Sequence, residues 1–195
     1  GAMMFSRELR FAPYLQTLWL TGTLCVFASR LMLSHRELLV PRADGYTRKG
    51  TFLGAAGTEA LVKELRYAPF LEVLDLGTND MGPRGAEAVG REMRHAPCLE
   101  VLYLTYNDIG DSGVEDLLRE LRYAEYLEEL HLFENGISKV GERAVMALLA
   151  EHPPPALHVL KGMSLVKAAK KMRLRPRGKA SNESVLETLR ERAAR

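Results

Sequence analysis

Aromatic and acidic side chains recur at a 28-residue spacing between leucines in the middle of the chain. Tyr103 is followed 28 residues later by His131, and Tyr106 by Glu134. Aromatic side chains are common anchors of protein interfaces, and carboxylates beside them favour a partner that carries Lys or Arg. The predicted partner-binding residues are Trp19, Asp75, Glu100, Tyr103, Tyr106, Glu128, Glu129, His131, Phe133 and Glu134. The alternative is that these residues bind no partner, because Tyr and Phe are common in strands and acidic residues keep an exposed sheet face soluble.

The residue types that catalysis and metal binding require do not form a known motif in this sequence. There is no phosphate-binding loop, no H-E-x-x-H sequence, no cysteine pair at zinc spacing and no nucleophile elbow. The five histidines share no ligand spacing, and two cysteines cannot form a disulfide framework. We therefore predict no catalytic residue, no metal site and no cofactor, and we interpret the protein as a non-enzyme.

Leucines define the elements that must position the aromatic and acidic residues. Units that begin at Leu71, Leu99 and Leu127, 28 residues apart, share the pattern L-x-x-L-x-L. The fourth and sixth positions lie on one face of a strand and enter the core, so the residues between them face away from it. Apolar residues four apart follow, as at Leu117 and Leu121, which is a helical spacing. Each unit is predicted to be a strand and a helix that need stacked neighbours to bury their apolar faces.

An asparagine occupies the ninth position of each unit, where the chain leaves the strand. A side-chain amide at such a bend can both donate to and accept from backbone groups. Asn79, Asn107 and Asn135 are therefore predicted to stack into a structural ladder.

The complete pattern, L-x-x-L-x-L-x-x-N-x-I followed by G-x-x-x-L-x-x-x-L, resembles the long, ribonuclease-inhibitor-like class of leucine-rich repeats. The match covers roughly residues 53–160 and also 9–23. The resemblance implies an α/β solenoid, a short horseshoe with parallel strands on the concave face and helices on the convex face. Because such repeats host many functions, the motif does not name a partner. The first interpretation is a protein-binding adaptor or scaffold that uses the concave face. Regulation of a small GTPase is a further possibility, which only the family resemblance suggests.

Residues 24–51 interrupt the repeat pattern. The segment from Leu15 to Leu20 echoes the one from Leu71 to Leu76 at twice the period, without a matching unit between them. Removing residues 24–51 restores the register, which favours an insertion after a strand over a decayed repeat. Within it, residues 29–39 have the pattern of a short amphipathic helix. The predicted division is a tag remnant at 1–3, a solenoid at 4–160 with an irregular insertion at about 24–51, and a basic helical cap or tail at 161–195.

The C-terminal segment differs in charge from the rest of the chain. Residues 161–195 hold eleven Lys or Arg and three Glu, a net charge of +8, which leaves −6 for residues 1–160. Such a tail could bind nucleic acid or another anionic surface, or it could be a solvated helix that caps the solenoid. The basic-tail residues are Lys167, Lys170, Lys171, Arg173, Arg175, Arg177 and Lys179. A last helix, predicted from Ser181, would pack on the array or on a partner helix through Val185, Leu186, Leu189 and Ala193.

The expected location is intracellular and cytoplasmic, with the nucleus as the alternative that the basic tail leaves open. The stretch from Tyr14 to Leu33 has one charged residue and is long enough to span a bilayer. Its repeat leucines and interspersed polar residues instead favour a strand, so we predict no membrane span. The Asn182-Glu183-Ser184 glycosylation pattern is discounted, because three-residue matches are common by chance.

Overall fold

One parallel sheet and a series of helices make up the fold. The computed structural model describes residues 14–20, 37–39, 53–171, 174 and 181–193. The strands are β1 Thr17–Trp19, β2 Glu37–Leu39, β3 Val73–Asp75, β4 Val101–Tyr103, β5 Glu129–His131 and β6 Val159–Lys161, in the spatial order β2-β1-β3-β4-β5-β6. The helices are α1 Gly54–Val62, α2 Gly82–Glu92, α3 Gly110–Glu120, α4 Lys139–Glu151, α5 Leu165–Lys171 and α6 Asn182–Ala193. Short 3-10 turns follow three helices, at Lys63–Tyr67, Met93–His95 and Leu121–Tyr123. The predicted α/β fold class is confirmed.

The register of the sheet repeats from unit to unit. Leu18, Leu74, Leu102, Leu130 and Leu160 are direct neighbours on successive strands. Each of these side chains is at most 1% exposed, because the helices cover this face of the sheet. The residues on either side of each leucine in β3, β4 and β5 are half-buried. The alternation inferred from the leucine spacing is therefore the one that the strands adopt.

Helices α2 and α3 approach each other closely where the predicted unit places a glycine. A Cβ atom added at Gly113 would lie 2.7 Å from the Cα atom of Pro83 and 2.7 Å from Cγ2 of Ile109. Those distances are below van der Waals contact, so glycine at this position allows the backbones of neighbouring units to pack.

The sheet passes directly from β1 to β3, and β2 lies outside β1 at the edge. The Gly54 N–H donates to the Asn79 carbonyl at 2.9 Å, just as the Gly82 N–H donates to the Asn107 carbonyl at 2.9 Å. Helix α1 thus occupies the helix position of the unit that begins with β1. The boundaries of the insertion stay a prediction, since residues 24–36 and 40–51 lie outside the described residues.

The helix predicted for residues 29–39 is wrong in its last part, because Glu37–Leu39 form a strand. This strand pairs in parallel with β1, in the register Leu38 to Leu18. Without it, β1 would present unpaired backbone groups at a sheet edge. Pairing across this edge, rather than the local helical pattern, determines the conformation of these three residues.

The C-terminal helices close the other end of the array. Val185, Leu186 and Leu189 of α6 are at most 2% exposed and join the common core, whereas Ala193, at the end of the helix, is exposed. The apolar face predicted for this helix therefore ends before Ala193. The helix packs on the array, one of the two arrangements predicted for it.

The basic tail is described only in part. Lys167, Lys170 and Lys171 lie in α5, and the side chain of Lys170 is exposed. Arg173, Arg175, Arg177 and Lys179 lie outside the described residues. Among the described helices, none has the length and apolar character needed to cross a membrane.

Candidate functional site: the concave sheet face

The concave face is the sheet face turned away from the helices, and the register brings four predicted residues into one row. Trp19, Asp75, Tyr103 and His131 are successive neighbours at the last position of their strands. Lys161 follows His131 in the same row. Because β1 pairs directly with β3, the insertion does not separate Trp19 from the other strands. The row therefore runs across five strands and ends in Lys161, a cation outside the predicted site residues.

Tyr103, His131 and Glu129 form a connected cluster in the middle of this face. The Tyr103 and His131 ring centroids are 4.5 Å apart at an angle of 38°. The His131 Nε2 atom lies 3.0 Å from the Glu129 Oε2 atom. Burial raises the pKa of the Tyr103 hydroxyl above its usual range, and the Glu129 and Asp75 carboxylates add to this shift. Tyr103 is therefore neutral over the physiological range, and its phenol can donate a hydrogen bond to a partner.

Tyr106 and Phe133 are the exposed aromatic residues of the predicted site. Their side chains are 56% and 47% exposed, and both lie just beyond the ends of the strands. The Tyr106 N–H donates to the Phe133 carbonyl at 2.9 Å, which ties the two turns together. Backbone pairing thus positions two large side chains that are each about half exposed to water.

A left-handed backbone conformation is shared by the turn residues that follow the strands. Tyr106 has φ = 57°, and Thr78 and Glu134 have φ values of 58° and 54°. Non-glycine residues in this region are uncommon. Because all three turns share it, the conformation belongs to the repeat and does not by itself mark Tyr106 as a binding residue.

The predicted carboxylates lie in four places. Glu129 lies in the central cluster, Glu134 is exposed beside Phe133, and Asp75 is half-buried and accepts a hydrogen bond from the Gly77 N–H at 2.8 Å. Glu100 and Glu128 are exposed but precede their strands, at the opposite end of the sheet from Tyr106. The ten predicted residues therefore do not form a single cluster.

The asparagines form a buried column behind the strand ends. The Asn107 Oδ1 atom accepts from the Asn79 N–H at 2.9 Å, and the Asn135 Oδ1 atom accepts from the Asn107 N–H at 2.9 Å. The Nδ2 atom of Asn107 donates to the carbonyls of Leu76 and Leu104 at 2.9 and 3.0 Å. Each amide thus joins its own turn to the turn of a neighbouring unit, which holds the exposed turn residues in register.

Asn182 continues this column at the C-terminal end, a role that the sequence analysis missed. Its Oδ1 atom accepts from the Leu165 N–H at 3.0 Å, and its Nδ2 atom donates to the carbonyls of Leu160 and Met163, each at 2.8 Å. These contacts resemble those that an asparagine of a following repeat would make. The sequence signal was only an asparagine at a helix start. Glycosylation replaces one of the two Nδ2 hydrogens, so it would break at least one of these donated bonds.

The described part of the chain contains no group of three or more His, Cys, Asp or Glu residues placed to hold a metal ion. The concave face instead presents aromatic rings and carboxylates on a parallel sheet.

Comparisons with known proteins agree with this architecture. A family model described as "Leucine Rich repeat" matches residues 67–90 and 95–118. Among solved structures, the chain is similar to actin-binding site 2 of leiomodin-1, with a TM-score of 0.66 and 12% identity over 97% of this chain and 89% of that one. It is also similar to the tropomodulin C-terminal domain from Caenorhabditis elegans, with a TM-score of 0.64 and 14% identity over 100% of this chain and 96% of that one.

None of the curated proteins compared with the chain matches it. At 12% and 14% identity, the structural likeness concerns the fold alone. The ribonuclease-inhibitor-like subclass stays a prediction. The 28-residue repeats, the parallel sheet backed by helices and the two matched repeats establish that this chain is a leucine-rich repeat protein.

Proposed function

We propose that this protein is a non-catalytic binding module that recognises a protein partner through its concave sheet face. The observation that carries the proposal is the pair of exposed aromatic side chains, Tyr106 and Phe133, held by paired backbone beside the Tyr103 and His131 cluster. Burying such side chains against a partner removes apolar area from water at little conformational cost, because the sheet is already ordered.

The charge of the face favours a partner segment that contains Lys or Arg. Glu129 is half-exposed in the central cluster, and Glu134 is exposed next to Phe133. Carboxylates at the rim of an aromatic patch mainly select the partner and speed its association. The likeness to actin-binding site 2 of leiomodin-1 supports a protein ligand and makes actin the first partner to test.

The test compares a Tyr106→Ala/Phe133→Ala variant with Val140→Ala, which truncates an exposed apolar residue of α4 outside the concave face. Binding is measured by cosedimentation with purified filamentous actin and by affinity capture from lysate with mass spectrometry. We expect the double variant to lose about tenfold or more in affinity for the recovered partner, the range of interface anchors, while Val140→Ala retains it. Equal binding by both variants would exclude the concave face as the site.

The net charge of +8 in residues 161–195 supports a second candidate, the binding of nucleic acid or another anionic surface. Truncation cannot test it, because α6 belongs to the core. A variant with Lys170, Arg175, Arg177 and Lys179 replaced by Gln removes four charges without shortening the chain. Steep weakening of nucleic-acid binding with salt, absent in this variant, would assign that function to the tail. Regulation of a small GTPase and the cytoplasmic location stay predictions.

A further inference from the structure

We propose that a groove at the strand-entry edge is a second protein-docking site, for a partner segment that has a large apolar side chain between Lys or Arg residues. The strand-entry edge consists of the segments that lead into the strands, at the opposite end of the sheet from Tyr106 and Phe133. This site goes beyond the proposed function, because it uses different residues and another edge of the solenoid.

Apolar side chains are concentrated at this edge. Eight large apolar residues are exposed among the described residues, and five of them lie here: Tyr14, Tyr67, Phe70, Tyr123 and Tyr126. Tyr14, Phe70 and Tyr126 each immediately precede the first leucine of a unit, and they are 75%, 50% and 59% exposed. The Tyr14 and Phe70 rings stack with centroids 6.0 Å apart and planes at 10°. A concentration of exposed apolar side chains of this kind is typical of an interaction site.

Cys98 makes a gap in this aromatic column. It occupies the position of Tyr14, Phe70 and Tyr126 in its own unit and carries a smaller side chain. A groove of about 240 Å³ lies here, lined by Tyr14, Gln16, Phe70, Glu72 and Cys98. This volume is below the roughly 300–1,000 Å³ of small-molecule sites. It suits a single large side chain of a partner better than a cofactor.

The charges around the groove indicate which partner residues should flank the side chain that enters it. On the strand side, Glu72, Glu100 and Glu128 share the second position of successive units. The Glu72 carboxylate accepts a hydrogen bond from Gln16 Nε2 at 2.7 Å, which leaves its charge intact. Within the described ranges, neither Glu100 nor Glu128 forms a salt bridge, and both are exposed. The column therefore presents uncompensated negative charge.

On the helix side of the same edge, two arginines are paired with carboxylates. Arg66 lies 3.6 Å from a Glu92 carboxylate oxygen and Arg94 lies 3.0 Å from one of Glu120. The guanidinium of Arg122 stacks on the Tyr123 ring, 4.8 Å from its centroid. Among the described residues, the carboxylates of Glu100 and Glu128 carry charge at this edge that no ion pair compensates, and complementarity favours a partner segment with Lys or Arg beside its apolar anchor.

The experiment follows backbone amide NMR shifts of the full chain on titration with three synthetic peptides. The sequences are Lys-Ala-Phe-Ala-Lys, Glu-Ala-Phe-Ala-Glu and Lys-Ala-Ala-Ala-Lys, each with blocked ends. We expect only the first to shift the amides of Phe70, Glu72 and Cys98. Shifts of equal size with the acidic peptide, or none at this edge with any peptide, would overturn the proposal.

Two variants connect the shifts to the groove. Cys98→Phe fills the gap with the ring type that other units carry at this position, so it should fold and weaken binding of Lys-Ala-Phe-Ala-Lys at least tenfold. Glu100→Lys should also weaken binding of this peptide at least tenfold, because it replaces an attractive charge with a repulsive one. Glu151→Lys, the same charge reversal at an exposed residue of α4, should change the affinity less than twofold. Unchanged affinity in both groove variants contradicts the proposal.

Two further measurements distinguish a peptide in this groove from self-association and from binding at the concave face. Concentration-dependent shifts at the same amides without peptide would show that a second copy of the chain occupies the groove, which would overturn the proposed occupant. The Tyr106→Ala/Phe133→Ala variant should bind the peptide normally, so failure of the concave-face proposal and failure of this one give different results.

Discussion

Replacing Asn107 by Ala removes the middle rung of the asparagine column. Asn107 is fully buried, and its Oδ1 atom accepts from the Asn79 N–H at 2.9 Å and from the Met81 N–H at 3.4 Å. In the alanine variant these two N–H groups have no acceptor at that position. A buried donor left without a partner costs about 1–3 kcal/mol.

The carbonyl groups that Asn107 contacts lose less, because each keeps another donor. The Leu76 carbonyl still accepts from Asn79 Nδ2 at 3.0 Å, and the Leu104 carbonyl still accepts from Asn135 Nδ2 at 2.8 Å. The cost therefore comes mainly from one well-aligned N–H, one longer contact and the small cavity. We expect Asn107→Ala to lower the free energy of unfolding by about 2–4 kcal/mol.

Urea unfolding followed by circular dichroism measures this change, with Ser112→Ala as the control. Ser112 is an exposed residue of α3, so its replacement should stay within about 0.5 kcal/mol of the wild type. Asn182→Ala should fall between the two, at about 1 kcal/mol, because Asn182 is half-buried and water can replace part of its contacts. An Asn107→Ala value no larger than that of Ser112→Ala would refute the reasoning.

Two further predictions concern contacts between neighbouring helices. Gly113→Ala should cost about 1–3 kcal/mol, because its Cβ atom would lie 2.7 Å from the Pro83 backbone, and it should lower the thermal midpoint clearly below that of Ser112→Ala; equal midpoints would contradict this. The Asp111 carboxylate accepts from the Ser138 hydroxyl and N–H at 2.6 and 2.7 Å, which lowers the pKa of Asp111. Its stabilising effect is therefore present above the usual carboxyl pKa near 4 and is lost as the pH falls below it. Asp111→Asn should flatten the fall in thermal midpoint between pH 5 and pH 2.5, and an unchanged slope would contradict the assignment.

The repeating part of this protein was predictable because each position meets the same surroundings every 28 residues. Leu74, Leu102 and Leu130 share one neighbourhood, so the alternation of a single strand indicates the buried face of all three. The same argument holds for the asparagines at the ninth position, whose amides bond between adjacent units.

Features without a repeating context could not be predicted in this way. Glu37–Leu39 form a strand because the edge of β1 offers backbone partners that are distant in sequence. Asn182 completes the asparagine column only because α6 folds back on the array, and no periodic pattern places it there.

For the candidate site, sequence alternation placed Tyr103 and His131 beside each other but did not group the other residues. Tyr106 lies beyond the strand ends and Glu128 before them, so the two belong to different edges of the solenoid. Alternation determines which face a side chain occupies, whereas its contacts along the strand direction depend on how the units stack.

Short-range periodicity in the amino-acid sequence was sufficient to establish the repeat, the buried leucines and the residues that face away from the core. Three-dimensional packing was needed to establish which of those residues meet, where the sheet ends and which edge keeps exposed aromatic rings. Those outcomes depend on backbone pairing and helix packing between segments that lie far apart in the chain, and local sequence patterns do not determine such long-range contacts.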